Sequence, residues 1–102
     1  MSEQVVLIVS LWLNDGQVEA FEAFERRVAK IQQRHGGRIE RAVRLNAPQD
    51  PDAPFEVHVV TFPTAASLAA YRADPEMQTL AADRAKIFRR TVIHEGREAG
   101  PY

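Results

Sequence analysis

The chain has 102 residues, 45% of them hydrophobic and 26% charged, which is enough for one compact domain and too little for two. Its 13 basic and 14 acidic residues leave a formal net charge of −1, so the broadly basic surface of a nucleic-acid binder is excluded. No apolar run approaches the ~18 residues of a membrane span, "MSEQ" lacks the basic start of a secretory signal, and the lack of cysteine removes disulfide and thiolate chemistry, so a soluble cytoplasmic protein with no membrane or nucleic-acid partner is expected.

The first element is "VVLIVSLWL", residues 5–13, a β-branched apolar run that reads as a strand with both faces buried. "NDGQ" then opens a helix, with Asn14 or Asp15 as N-cap. Val18, Phe21, Phe24, Val28 and Ile31 form its apolar stripe. Acidic Asp15, Glu19, Glu22 and Glu25 lie early and basic Arg26, Arg27, Lys30 and Arg34 late, an order that suits the helix dipole. "HGG" at 35–37 supplies a glycine C-cap. "RIERAVRL", 38–45, alternates as a half-exposed edge strand, Ile39, Val43 and Leu45 on one face and Glu40, Ala42 and Arg44 on the other. "NAPQDPDAP", 46–54, is a loop. "FEVHVVTF", 55–62, is the next strand. Pro63 ends it, and Thr64 caps a helix through "AASLAAYRA". Asp74 and Pro75 start a further helix as N-cap and first residue. "MQTLAADRAKIF", 77–88, reads as its continuation, and "TVIHEG", 91–96, is the last strand.

The order is β-α-β-β-α-β with the second helix split. This is an α+β, ferredoxin-like arrangement: a four-stranded antiparallel sheet with helices on one face. The other sheet face is bare, yet the first strand is apolar on both sides. Two copies pairing sheet to sheet would cover it, so a homodimer is expected.

Several segments together carry a resemblance. "HGGRI" (35–39), "VVTFPTAASLAAYRADPEMQ" (59–78), Arg84 and "VIHEG" (92–96) resemble a bacterial domain-of-unknown-function family, number thirteen-thirty, within the dimeric α/β-barrel superfamily. The resemblance covers most of the chain from Gly36 on. It implies a ferredoxin-like fold, sheet-to-sheet dimers and a ligand cavity between sheet and helices. It brings no established reaction. The chain departs from the family in its long proline-rich loop and in "KIFRR", where a glycine-bearing turn is frequent.

Arg84 is the sharpest candidate. At helical spacing it falls in the centre of a stripe made by Met77, Leu80, Ala81, Ile87 and Phe88. A guanidinium cannot shed its charge there. It pairs with a protein acid, snorkels to water, binds an anionic ligand from the cavity wall, or marks an early helix end. Tyr71 is placed to bring a hydroxyl to the mouth of that cavity. His58 is the candidate base. With regular strands, Val57, Val59 and Ile93 join the odd face of the first strand under the helices. The mixed set of Ser10, Trp12, His58, Phe62 and His94 then faces the dimer partner. On that parity His58 and Arg84 do not share a site. Trp12, Phe62 and His94 are thus pocket or dimer-face candidates. No HxH, HxxxH or cysteine spacing calls for a metal, no phosphate loop or nucleophile elbow is present, and no cofactor is named. Two functions follow: a small-molecule-binding dimer with a possible enzymatic pocket for an anionic or carbonyl-containing ligand, or a non-catalytic interaction module.

Overall fold

In the computed structural model, residues 4–46 and 50–102 are described, so the polar start and the middle of the 46–54 loop lie partly outside the described residues. The chain runs β1 (Val5–Leu13), α1 (Val18–Arg34), β2 (Arg38–Arg44), β3 (Glu56–Phe62), α2 (Ala65–Arg72), α3 (Pro75–Gln78), α4 (Ala81–Ile87) and β4 (Phe88–Gly96). The strands form one sheet in the order β2-β3-β1-β4, every neighbour antiparallel. This is the ferredoxin-like α+β fold expected from the element order.

Phe21, Phe24, Val28 and Ile31 of α1 are buried against Leu11, Leu80 and Ile87. A second cluster joins Leu7, Val60, Phe62 and Leu68. Each such side chain contributes about 1.5–3 kcal/mol of burial. Val18, the first residue of the expected stripe, is 40% exposed because α1 only begins there.

Local chemistry sets the helix ends. Asn14 does not cap α1: its N–H and side-chain amide donate to the carbonyls of Ile87 and Lys86, tying the end of β1 to the α4–β4 junction. Gln17 precedes α1 with no side-chain cap. At the other end Gly36, at φ 78°, gives a left-handed turn, and Gly37 N–H donates to the Gln32 carbonyl, closing a Schellman motif. Gly37 is also pressed against the ring of Phe62. Thr64 caps α2 in a reciprocal box with Ser67, and Asp74 caps α3 with Pro75 in its first turn. The 77–88 stretch is not one helix. It breaks at Thr79 and Leu80, and Phe88 already begins β4. Leu80, fully buried, anchors the break.

The strand faces differ from the expected ones in two places. Opposed residues of an antiparallel pair share a face, and Val9 opposes His58 while Leu7 opposes Val60 and Val5 opposes Phe62. Glu56, His58, Val60 and Phe62 therefore point at the helices, and Val57 and Val59 away from them. In β2 the register shifts between Ile39 and Arg41. This bulge sends Ile39 to the helix side, opposite Val60, and Val43 to the open side, opposite Val57. On the open face Ile8 is 38% and Val43 48% exposed.

Candidate functional site

The inward faces of β1 and β3 and the helices above them enclose a cavity of about 270 Å³. Leu7, Val9, Val60 and His58 form its floor. Phe24, Glu25, Val28 and Gln32 of α1 form one wall. Tyr71, Met77 and Arg84 come from α2, α3 and α4, and Thr91 and Ile93 line the β4 side, where Ile93 is half exposed. The walls are mostly apolar, with a few polar groups converging, which is the make-up of small-molecule sites.

His58 is buried and held from both sides. Its Nε2–H donates to Glu56 Oε2 at 2.5 Å, and its Nδ1 lies 3.5 Å from Glu25 Oε1. Glu56 is fixed in turn: Oε1 accepts from Arg44 Nε at 2.9 Å. Arg44 also donates to Glu22 at 3.3 Å and lies over the Phe55 ring. A line of polar side chains thus runs from half-buried Glu22 and exposed Arg44 to buried Glu56 and His58 and on to Glu25. Glu25 and His58 line the cavity, whereas Glu56 and Arg44 stand behind it. Burial pushes the Glu25 carboxyl above the usual carboxylate range; Glu56 adds to this, and His58 and Arg84 oppose it. Burial likewise raises the Tyr71 phenol, with the Gln32 amide opposing.

Arg84 sits inside α4, so that helix does not end before it. Its guanidinium lies 5.6 Å from the centroid of the Phe24 ring. Among the described residues, no carboxylate oxygen comes within the 4.0 Å of an ion pair with it, although Arg27, Arg34, Arg38 and Arg44 all have such partners. Gln32 contributes a second unmatched group: its buried Oε1 has no donor among the described residues.

Beside the cavity, a separate cluster braces the end of α1 to α3. His35 Nε2–H donates to Asp74 Oδ2 at 2.8 Å, Arg34 donates to the same oxygen at 3.3 Å, and Arg34 also pairs with Glu76. The His35 hydrogen bond is the main cause that holds the Asp74 carboxyl below its usual value. The His35 ring also meets Tyr71, 6.5 Å between centroids.

These positions correct part of the sequence reading. His58 does not face outward; it shares the cavity with Arg84 and Tyr71, because the β1–β3 register pairs odd with even positions. Phe62 is likewise not on the open face but wholly buried, its ring 5.1 Å from that of Tyr71. His94 does lie on the open face, exposed and opposite Ile8. Trp12 is buried away from the cavity, its indole N–H donating to the Asp52 carbonyl at 2.9 Å and its ring covered by Arg90. Glu25, Gln32 and Glu56 are cavity or supporting residues that the sequence reading missed. The signal for two of them was present: Phe21, Glu25, Val28 and Gln32 fall on one helical stripe, so a carboxyl and an amide interrupt the apolar face of α1 as Arg84 does that of α4. Among the described residues no group of three or more His, Asp or Glu side chains converges as a metal ion requires, and no helix is long and apolar enough to cross a membrane.

No protein-family model and no curated protein matches the chain. Solved structures do. A protein of unknown function from Rhodopseudomonas palustris superposes with a TM-score of 0.80 at 17% identity, over 99% of this chain and 86% of its own. A candidate antibiotic biosynthesis monooxygenase from Bacteroides thetaiotaomicron gives 0.73 at 13% identity, over 97% and 92%. A Dabb family protein with a ferredoxin-like fold from Mesorhizobium loti gives 0.68 at 17%, over 95% and 98%. At these identities the likeness is one of fold. The resemblance to family thirteen-thirty is carried to the shared ferredoxin-like architecture and no further.

Proposed function

We propose that this chain acts as a single-domain homodimer that binds a compact small molecule carrying an anionic or carbonyl oxygen, in the cavity between sheet and helices. One observation carries the reading: the Arg84 guanidinium lines an apolar-walled cavity, and among the described residues no carboxylate oxygen lies within ion-pair distance of it, Glu25 across the cavity acting on it only at longer range. A satisfied arginine over a filled core would have favoured the interaction module instead. An unpaired guanidinium at such a wall is a ready partner for a carboxylate or enolate oxygen. The buried Gln32 Oε1 supplies an acceptor for a hydroxyl or N–H of the same ligand. Tyr71 lines the same cavity. The cavity's 270 Å³ falls just below the ~300–1,000 Å³ usual for ligand sites, so the ligand is small. The exposed apolar residues of the open sheet face support the homodimer.

Arg84→Ala tests the reading. Removing a side chain whose ring contact is worth ~0.5–1 kcal/mol lowers Tm by only a few degrees, at roughly 4–8 °C per kcal/mol for a domain near this size. The stabilisation that wild type gains from phenylpyruvate, a compact aromatic 2-oxo acid, disappears in the variant. A loss near the ~3–5 kcal/mol of a broken buried ion pair, with no wild-type response to the acid, assigns Arg84 a structural role and overturns the proposal.

A further inference from the structure

We infer that Glu25 is a proton-transferring residue, and that the cavity takes 2-oxo acids with an apolar tail and exchanges or relocates the proton on the carbon next to their ketone. The inference rests on the proposed ligand site and adds a reaction to it. Its basis is the position of Glu25 at the inner end of that line of polar side chains. Glu56 is consumed on both oxygens, by Arg44 and by His58. Glu25 is not: Oε1 lies 3.5 Å from His58 Nδ1, no hydrogen bond engages Oε2 among the described residues, and the side chain lines the cavity. One carboxyl oxygen thus lies near His58, the other is not engaged by a hydrogen bond among the described residues, and the side chain borders the space where a ligand would lie. The His58 ring cannot turn away without giving up Glu56.

Arg84 lines the same space, and its planar fork matches two adjacent oxygens. The carboxylate and ketone oxygens of a 2-oxo acid present such a pair. Leu7, Val9, Val60 and Met77 offer the tail an apolar bed. With the acid so held, the Glu25 carboxylate takes a proton from the carbon beside the ketone. As that C–H bond breaks, its electron pair forms the C=C bond and the ketone π pair moves onto oxygen. The enolate charge develops against Arg84. Glu25, now carrying the proton, returns it to carbon or gives it to the enolate oxygen, completing a keto–enol tautomerisation. Atoms and electrons balance with no oxidant, reductant or added cofactor. Burial also suits Glu25 to this work, since a carboxylate of raised affinity for protons is the stronger base.

The experiment follows phenylpyruvate in D2O by proton NMR, reading loss of the signal of the hydrogens beside the ketone. Wild-type protein should speed exchange over buffer by at least ~100-fold, the lower end for a positioned general base. Glu25→Gln should lose that acceleration while phenylpyruvate still raises its Tm, and Glu25→Asp, which keeps a carboxylate on a shorter stem, should retain part of it. Wild-type protein that binds phenylpyruvate without speeding exchange overturns the inference and leaves the ligand site standing. Wild-type protein that neither binds nor exchanges overturns both. Full acceleration by Glu25→Gln overturns the assignment to Glu25.

Discussion

Gly37→Ala inserts one methyl group where, of the described glycines, a side chain has least room, and its effect can be worked from distances. A Cβ at Gly37 would lie 2.4, 2.6 and 2.9 Å from three ring carbons of Phe62. Carbon atoms are comfortable at about 3.5–4.0 Å, so the ring must retreat by ~1 Å. It has nowhere to go. Phe62 is 0% exposed, packed among Leu7, Val60 and Leu68 and against Tyr71. Overpacking of this kind costs ~1–3 kcal/mol, and a buried ring in a closed cluster belongs at the upper end. The loss of glycine's freedom in the unfolded chain returns ~0.4–1 kcal/mol. The net loss is about 2 kcal/mol, or roughly 8–16 °C in Tm. Urea unfolding and a thermal melt both read it. Because Phe62 lies against Tyr71, which lines the cavity, the displaced ring should also weaken the proposed binding of phenylpyruvate. Adding Phe62→Leu should recover stability, giving a favourable coupling of ~1 kcal/mol or more between the two sites. A variant that melts within a degree or so of wild type, or a double variant whose costs simply add, refutes the steric reasoning.

Two further outcomes follow. Glu25 binds its proton more tightly in the folded protein than in the unfolded chain, where the value is 4.5, so its ionisation costs stability as pH rises from there through the folded value, and costs nothing below both. Glu25→Gln should therefore raise Tm at about pH 7.5 and leave it unchanged at about pH 4; a difference that does not vary with pH contradicts the burial of Glu25. Ile8→Glu puts a charge in the middle of the open sheet face, where the fold itself should lose no more than ~0.5 kcal/mol. By light scattering wild type should be a dimer at micromolar concentration and the variant a monomer with an unchanged far-ultraviolet spectrum. A wild-type monomer removes the homodimer.

What could be read from the residues was largely what one element decides alone. The limits of β1, the Thr64 cap, the Asp74–Pro75 helix start and the glycine exit from α1 all depend on neighbours in sequence. What could not be read depends on pairing. Both sets of alternate residues in β3 are acceptable inside a core, provided Glu56 and His58 find partners, and those partners are Arg44 and Glu25 on other elements. Register therefore chose the face, and with it the membership of the cavity. The bulge in β2 is equally silent: an unbroken alternation hides the extra residue that sends Ile39 and Val43 to opposite sides. Arg84 was visible from the start as a charge in an apolar stripe, and Glu25 carried the same mark. On α1, however, the acidic residues before it made a dipole explanation sufficient.

The two outer strands bear on how the proposed assembly would stop. β2 carries Arg38, Arg41 and Arg44, all exposed, and β4 carries exposed Arg89 and Arg90. Another strand added beside either would bring like charges together, and the kink in β2 spoils the straight row of backbone groups that such a strand needs. The uncharged middle of the open face has no such guard. A face that pairs with its own copy closes on a two-fold axis and is then used up, whereas an edge would accept one chain after another without end. In the proposed homodimer, the distribution of arginine would thus steer this sheet toward a finite particle and away from a fibre.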